Sequence, residues 1–364
     1  SRSVRRSIMR KLIANLAAAA LCLTVLPGTS LADPEYVLSL NLPLPPIHTR
    51  WKDAIKPWCD ELTRRSDGRI VVEPYFAEAI SKQSESMDAV RDGLADMTES
   101  LFTVAVGQFP FFERVWSVPD PARAIENPTV ILHEMQKSFP QVMEECHGVK
   151  LLFTHGQSMG TVLGTKTPVK SLEELKGMKI AVIGGAIAVE RLKALGASVV
   201  SIPMADFYMS LQQGIIDGCM VDFNMMVTRR LGDLLKHVTL LSIAGGDFYC
   251  CMNQDIYDSM PDDLKKIIDD LSGEYADRLF SEFWASDQYS CLETWKKEMG
   301  GIIHMLPDED YTKARELMVS ADEQWVHELN ENGLPGEEML KRFRELEAQY
   351  DPEWKNAVVA KYLN

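Results

Sequence analysis

The segment Gly156-Gln-Ser158-Met-Gly160 matches the Gly-x-Ser-x-Gly pattern, in which a sharp strand-to-helix turn presents a serine as a nucleophile. A predicted strand precedes the segment, as that pattern requires. Residues 161–168 have the composition of a second strand and a turn, whereas a nucleophile of this type is followed by a helix. Because the pattern leaves two of its positions open, it also arises often by chance. Hydrolysis through Ser158 is therefore an alternative and not the main interpretation.

Other segments match chemical motifs only in part. Residues 160–167 have the wrong spacing for a phosphate-binding loop, and Gly184-Gly185 lacks the third glycine of a dinucleotide-binding turn. His133-Glu134 and His327-Glu328 each lack the second histidine of a zinc-binding helix. The six cysteines beyond residue 32 match no zinc-ligand spacing. The sequence therefore predicts no catalytic residue, no metal site and no cofactor, and a protein that is not an enzyme.

The charge balance of the chain is acidic. Its 364 residues include 53 acidic and 38 basic side chains, which gives a formal net charge of −15. A nucleic-acid-binding protein needs a basic face to meet phosphates, so the composition argues against a nucleic-acid partner. The apolar fraction of 46% is that of a globular protein, and the length allows two or more domains.

The amino-terminal segment resembles an export signal. Met9-Arg-Lys is followed by an apolar run from Leu12 to Leu26, and Ser30-Leu-Ala32 has small residues where a signal peptidase requires them. The run is shorter than the ~20 residues that a membrane-spanning helix needs. We therefore predict a signal peptide that is cleaved after Ala32, and a periplasmic protein.

Strand, helix and strand segments alternate along two stretches, residues 33–93 and 149–218. In the second stretch Ser171 is a predicted helix N-cap with Glu174 three residues later, and Gly196 and Gly214 are predicted helix ends. Repeated units of this kind are typical of α/β proteins in which helices cover parallel sheets.

The carboxyl-terminal third is predicted to be helical. Residues 261–299 keep apolar side chains at helical spacing, and a helix that is unbroken over this range would be roughly 55 Å long at 1.5 Å per residue. Such a helix is longer than a small domain is wide, so we expect it to bridge two lobes. Residues 308–332 and 336–349 are predicted to form charged helices that pack on the lobes.

Several separated motifs occur in an order that resembles one family. The motifs are Gly68-Arg-Ile-Val-Val, Val90-Arg-Asp-Gly-Leu-Ala-Asp96, Thr167-Pro-Val-Lys-Ser-Leu-Glu-Glu-Leu-Lys-Gly-Met-Lys-Ile180, Leu195-Gly-Ala197, Pro203-Met-Ala-Asp-Phe-Tyr208 and Leu211-Gln-Gln-Gly-Ile-Ile-Asp-Gly218. Their order and spacing are similar to those of the substrate-binding proteins of tripartite ATP-independent periplasmic (TRAP) transporters, of the dicarboxylate-binding-protein-like type. The resemblance covers essentially the whole chain from Asp33.

The resemblance implies a two-lobed periplasmic binding protein, or Venus flytrap, with mixed or parallel sheets, a long bridging helix and carboxyl-terminal helices. Residues 33–158 and 247–285 would form the first lobe, and residues 159–246 and 286–340 the second. Residues 1–32 would be the signal region, and residues 341–364 a helix that packs on the lobes. The implied partners are a small organic ligand in the interlobe cleft and the subunits of a TRAP membrane permease, with the protein itself a monomer.

The departures from the family pattern concern the cleft. The arginine that normally follows the Lys-Ile pair falls on Ala181, and the second arginine of sugar-acid binders falls on Thr161. The amide expected after the Asp-Gly turn falls on Val221, beside Asp222 and Asn224. The resemblance places the remaining cleft positions at Gln83, Leu101, Val104, Gly185, Met204 and Asp247. These residue types predict an unusually apolar cleft.

Three interpretations follow. The ligand is an organic acid with an apolar or aromatic body, whose carboxylate is held by His48, Arg50, Gln83, His155, Arg123 or backbone amides. Alternatively it is a neutral or cationic solute, with Asp222 or Asp247 as counter-charge and Phe102, Phe207 or Phe248 facing it. In the third interpretation, an arginine at a shifted position in the sequence binds the ligand carboxylate. The first interpretation predicts that short dicarboxylates bind poorly, because no bidentate arginine stands at position 181.

Overall fold

The computed structural model describes residues 33–183 and 185–359. The predicted signal peptide and its cleavage point after Ala32 lie outside the described residues. None of the helices in the described ranges combines the length and apolarity needed to cross a bilayer.

The strands are β1 (Tyr36–Asn41), β2 (Ile70–Tyr75), β3 (Met97–Leu101), β4 (Val149–Gly156), β5 (Thr161–Thr165), β6 (Lys179–Val182), β7 (Ser198–Ser201), β8 (Gly218–Val221), β9 (His237–Ala244), β10 (Asp247–Asn253) and β11 (Ile302–His304). The helices are α1 (Lys56–Arg65), α2 (Ser86–Arg91), α3 (Pro128–Ser138), α4 (Leu172–Leu175), α5 (Ala186–Ala194), α6 (Phe207–Gln212), α7 (Phe223–Thr228), α8 (Gln254–Ser259), α9 (Asp262–Asp270), α10 (Ala276–Glu298), α11 (Asp308–Glu331) and α12 (Gly336–Tyr350). Over residues 33–93 and 149–214, the alternation of strands and helices follows the sequence prediction.

The strands form two mixed sheets. The first has the order β2-β1-β3-β10-β4, in which β10 runs antiparallel to both of its neighbours. The second has the order β11-β9-β5-β8-β6-β7, in which β5 runs antiparallel to both of its neighbours. Each sheet is covered by helices with its own apolar core, and we call the two units the first and second lobes. The predicted two-lobed α/β fold is confirmed, with mixed sheets.

Two short crossings join the lobes. The chain leaves the first sheet at Gly156 and enters the second at Thr161, and it returns between Ala244 and Asp247. At Gly160 the backbone has a φ of 53°, and a Cβ there would lie 2.7 Å from the carbonyl oxygen of Ala244. Only glycine fits this position without strain, because it tolerates positive φ and lets the two crossings approach closely.

The helical stretch 261–299 is broken in the structure. The chain forms α9 and α10, separated by a wide turn at 271–275 in which Gly273 leaves the helical region with ψ of −129°. The apolar spacing of the sequence continues across this turn, but the buried side chains shift by one residue, from Leu271 to Ala276. Helix α10 alone is about 35 Å long and still bridges the lobes. Its Phe280 packs in the first lobe and its Trp295 in the second.

Helix α11 also contacts both lobes. Met318 lies in the core of the second lobe, whereas Trp325 packs with Phe343 of α12 and Phe111 in the core of the first. The predicted limits at 285/286 and 340/341 fall inside α10 and α12. Helices α10 and α11 are shared elements that join the lobes, and the predicted limits stay predictions.

Candidate functional site

The carboxyl ends of β1, β3 and β4 lie at the same edge of the first sheet, where the chain crosses to the second lobe. Ligands of open α/β sheets bind outside this edge, at the point where the strand order changes direction. The loop after β1 carries Arg50, β3 ends at Leu101, and β4 brings His155 to the edge. These residues are therefore candidates for a ligand-binding site.

A buried chain of polar contacts runs along this edge. The carboxylate of Glu99 on β3 is fully buried, and Arg50 Nε lies 3.1 Å from its Oε1 atom. The Nε contact is an ion pair without a well-directed hydrogen bond, while Arg50 Nη2 donates to Oε2 at 3.4 Å. His155 Nε2 lies 3.2 Å from Glu99 Oε1, and Trp284 Nε1 on α10 donates to His155 Nδ1 at 2.9 Å.

The contacts of His155 determine its protonation. An indole N–H can only donate, so His155 Nδ1 accepts, and Nε2 must carry the proton that it donates to Glu99. Burial lowers the pKa of His155 and keeps the ring neutral. Burial alone would raise the pKa of Glu99, but Arg50 and His155 outweigh it, and its pKa lies below the ordinary value. Both ring nitrogens of His155 are occupied, so this predicted donor has no hydrogen bond left for a ligand.

The guanidinium of Arg50 is held between an acid and aromatic rings. Its central carbon lies 4.3 Å from the Phe248 ring centroid and 5.8 Å from that of Trp284. The side chain is nearly buried, with 6% of the residue exposed. Glu99 engages the edge formed by Nε and Nη2, and a guanidinium has five N–H donors in all. The donors on Nη1 are therefore available to a further anion.

His48 adds a second donor beside Arg50. Its Nδ1 accepts a hydrogen bond of 3.0 Å from the Arg50 backbone N–H. Burial lowers the pKa of His48 to about 4, with the positive charges of Arg50 and Arg229 acting in the same direction. The ring is neutral at neutral pH, and because Nδ1 accepts, Nε2 carries the proton. His48 thus presents an N–H donor and no full charge.

Polar contacts also connect the lobes beside this segment. Gln157 Nε2 donates to Asp222 Oδ2 at 2.5 Å, and Asp222 Oδ1 caps α7 by accepting from the Met225 N–H at 2.7 Å. Asp287 on α10 accepts from Thr49 at 3.1 Å and from Asn224 Nδ2 at 3.0 Å. Burial raises the pKa of Asp222 and of Asp287. Asp222 therefore acts as a helix cap, and both of its oxygens already have partners.

The residues at the positions of the two missing arginines, Ala181 and Thr161, offer no free group that could bind a carboxylate. Ala181 is fully buried in the core of the second lobe, as is Val221 on the neighbouring strand. The Thr161 hydroxyl donates to the Ala244 carbonyl at 3.1 Å, within the crossing between the lobes. Another predicted donor, Arg123, binds the Asp351 carbonyl at 2.7 Å near the carboxyl terminus, and is not part of the polar chain.

Phe102 and Phe207, predicted to face the ligand, are core residues. Both are fully buried, and Phe102 stacks on Phe112 with ring centroids 4.4 Å apart. Asp247 is also fully buried, and neither of its carboxylate oxygens has a hydrogen-bond partner among the described residues. Burial raises its pKa well above the ordinary value, which disfavours the charged form that a counter-charge requires. Phe102 directly follows β3, Phe207 begins α6 and Asp247 begins β10. Their burial depends on packing against segments far away in the sequence, which residue type alone does not reveal.

The remaining predicted positions keep some exposed surface. Gly185 is exposed at the start of α5, and the half-buried residues are Gln83, Leu101, Val104 and Met204. A Cβ on Gly246 would meet Gln157 Oε1 at 3.3 Å, Leu101 Cδ1 at 3.6 Å and Phe248 Cε2 at 3.8 Å. Half-buried Leu101 therefore lies beside Phe248, of which 5% is exposed, and the Phe248 ring packs on Arg50. Sequence reasoning missed Glu99, Gln157, Trp284, Asp287 and Arg229. The one charged residue among the uncharged residues 97–102 was the available signal for Glu99.

Ser158 has no catalytic surroundings. Its hydroxyl donates to the Glu126 carbonyl at 3.3 Å, and no histidine of the described residues contacts it. Within the same residues, no three His, Cys, Asp or Glu side chains gather to hold a metal ion. The arrangement can hold an anion with an apolar body.

Residues 43–328 match the family described as bacterial extracellular solute-binding protein, family 7 (DctP). A TRAP periplasmic solute-binding protein from Desulfovibrio salexigens is 22% identical with a TM-score of 0.79, over 87% of this chain and 97% of that one. A marine metagenome TRAP protein is 25% identical with a TM-score of 0.77, over 87% of this chain and 100% of that one. It is described as specific for aromatic acid ligands and was solved with metahydroxyphenylacetate.

Curated relatives agree with this assignment. The C4-dicarboxylate-binding periplasmic protein DctP of Rhodobacter capsulatus is 22% identical over 74% of this chain and 80% of that protein. The protein named outer membrane transporter protein TsaT, from Comamonas testosteroni, is 24% identical over 88% of this chain and 94% of that protein. The family and fold are those of transport proteins that bind small molecules and work with membrane permease components. The chain belongs to the DctP family of TRAP solute-binding proteins, as its motifs predict.

Proposed function

We propose that this protein captures a monocarboxylic acid with an aromatic or apolar body and delivers it to a TRAP permease. The protein acts in the periplasm as a monomer, after removal of the signal peptide at Ala32. The lobes divide near residues 158 and 246, and the ligand lies between them. One observation carries the proposal: the Arg50 guanidinium lies 4.3 Å from the Phe248 ring centroid, with Leu101 beside that ring. His48, whose Nδ1 accepts from the Arg50 backbone N–H, adds a neutral N–H donor to the same segment.

The charge of the site favours a single carboxylate. Glu99 neutralises most of the Arg50 charge, so the edge offers directed donors rather than a large positive potential. Thr161 and Ala181 bring no second cation where a dicarboxylate would need one. The TRAP relative that is specific for aromatic acids is 25% identical to this chain, which supports the same ligand class.

Burial of the ring and binding of the carboxylate have different roles. Burying about 150 Å² of aromatic surface is worth about 4 kcal/mol at ~25 cal/mol per Å². A hydrogen bond to a charged group is worth about 1.5–3 kcal/mol. The ring therefore supplies most of the affinity, while the carboxylate determines which of several aromatic molecules is accepted.

Isothermal titration calorimetry of the purified protein tests this proposal. We expect benzoate, 3-hydroxybenzoate and phenylacetate to bind, benzamide to bind at least about tenfold more weakly than benzoate, and succinate to bind poorly. Tight succinate binding, or equal affinity for benzoate and benzamide, would overturn it. Mass spectrometry of any molecule that co-purifies provides an independent check.

A further inference from the structure

Arg229 is a cation on the second lobe that has no ionic partner. It follows directly after α7, and its side chain is exposed. Within the described part of the chain, no carboxylate lies at ion-pair distance from it. The next residue, Arg230, is also exposed, but its Nε pairs with Asp233 at 2.8 Å. Two adjacent arginines therefore differ in whether they are neutralised.

Helix α7 is fixed against the segment that carries His48 and Arg50. Asp287 accepts from Thr49 of that segment and from Asn224 of α7. Gln288, the next residue of α10, accepts from the Phe223 N–H at 3.1 Å. One pair of side chains on the bridging helix thus holds the start of α7 beside Thr49. The six residues of α7 span about 9 Å, so Arg229 stays close to this segment.

The charge of Arg229 acts across the boundary between the lobes. It contributes, after burial and Arg50, to the lowered pKa of His48 on the first lobe. It also opposes the rise in the pKa of Asp222, the cap of its own helix. Arg50 and Arg229 therefore act on the same histidine from opposite lobes. Glu99 neutralises most of the Arg50 charge, whereas no carboxylate of the described residues lies at ion-pair distance from Arg229.

We propose that Arg229 is the second lobe's ligand for the bound carboxylate and makes closure depend on an anion. This inference rests on the proposed function and identifies how the same site selects its ligand. A ligand closes a two-state protein only if it binds the closed state more tightly. A carboxylate bound at Arg50 carries a negative charge that attracts the Arg229 guanidinium, whereas a neutral amide of the same shape does not. The arginine absent from positions 161 and 181 is thus replaced from a different element.

A pair of matched variants tests this proposal. Arg229→Gln and Arg230→Gln each remove one exposed positive charge from adjacent positions. We expect Arg229→Gln to weaken benzoate binding about tenfold, equivalent to 1.4 kcal/mol, and to change benzamide binding less than about twofold. Arg230→Gln should leave both affinities unchanged, and Arg229→Lys should recover part of the loss. Small-angle scattering should show that benzoate compacts the wild-type protein but not Arg229→Gln.

The outcomes separate this inference from the function on which it rests. If the wild-type protein binds none of the aromatic acids, the proposed function fails, and this inference fails with it. If the wild-type protein binds benzoate and Arg229→Gln binds it equally well, only the role of Arg229 is overturned. Equal losses for benzoate and benzamide, or equal effects of both glutamine variants, would also overturn it. Thermal melting of each variant verifies that the fold is intact.

Discussion

The two lobes present very different surfaces to the cleft. On the first, Arg50, Glu99, His155 and Trp284 form a continuous buried chain of polar contacts. On the second, Ala181 and Val221 are closed into the core, and the exposed Arg229 stands apart from the sheet. The first surface is organised before a ligand arrives, and the second is not.

This difference indicates a sequence of events. A preorganised surface loses little conformational freedom on binding, so the ligand should dock first on the first lobe. The second lobe should then close over the ligand and contribute the exposed Arg229. Affinity should depend mainly on the first lobe, and selectivity for anions should depend on both.

The largest effect is expected from breaking the buried chain at Glu99. In Glu99→Gln the Arg50 charge loses its partner while it stays buried, which should lower the free energy of unfolding by about 3–5 kcal/mol. Urea denaturation measures the loss. Glu73→Gln on the exposed face of β2 is the control and should be neutral. If Glu99→Gln is as stable as the wild-type protein, these buried polar contacts do not stabilise the first lobe.

A conservative change at Arg50 tests the anchor itself. Arg50→Lys keeps the charge but loses the planar fork and its stacking on Phe248. We expect benzoate to bind roughly 10–150-fold more weakly, which corresponds to about 1.5–3 kcal/mol. Calorimetry measures the change, and Arg123→Lys, outside the polar chain, serves as the control. An unchanged benzoate affinity in Arg50→Lys would mean that a group other than Arg50 binds the carboxylate.

The comparison extends to an acid buried away from the cleft in the first lobe. Burial raises the pKa of Glu145 to about 7, against the hydrogen bonds it accepts from the Phe111 and Phe112 N–H groups. Between pH 4.5 and about 7, the folded protein keeps a proton that the unfolded chain has lost. Stability should therefore fall as the pH rises from about 5 to about 8.

Two neighbouring variants isolate this contribution. Glu145→Gln should reduce the loss of stability between about pH 5 and about pH 8 by about 1 kcal/mol, because partial exposure screens part of the shift. The exposed Glu144→Gln should leave the pH dependence unchanged. Urea denaturation at the two pH values measures both. A wild-type protein that becomes more stable as the pH rises would contradict the assignment.

The smallest effect is expected from the titration of His48. Its pKa of about 4 keeps the ring neutral, and protonation would strengthen anion binding only as the pH approaches that value. Benzoate affinity should therefore change less than about twofold between about pH 5.5 and about pH 8. Calorimetry across this range is the check. A rise of about tenfold on acidification to about pH 6 would mean that His48 titrates with its ordinary pKa.

The order of the elements could be predicted because its signals are local. Ser171 accepts from the Glu174 N–H at 3.4 Å, as the capping pattern predicts, and Gly196 and Gly214 have the positive φ of helix ends. The break at Gly273 could not be predicted, because the apolar residues on both sides keep the same helical phase. A periodic pattern records which face is buried but not whether the helix is continuous.

The site could be predicted only in part, because its contacts join distant positions. His48, Arg50 and His155 were identified as donors by residue type. That His155 accepts from Trp284 is a contact between residues 129 positions apart, and Arg50 meets Glu99 across 49 positions. Nothing local signals such pairs. The burial of Phe102, directly after β3, and of Asp247, at the start of β10, could not be predicted either, because it depends on packing against distant segments.

A crystal structure of the protein with 3-hydroxybenzoate tests the central claim most directly. The account predicts a carboxylate oxygen within about 3 Å of the Arg50 guanidinium and of His48 Nε2, with the ring against Phe248 and Leu101. A carboxylate held by groups of the second lobe alone, with Arg50 bound only to Glu99, would contradict it.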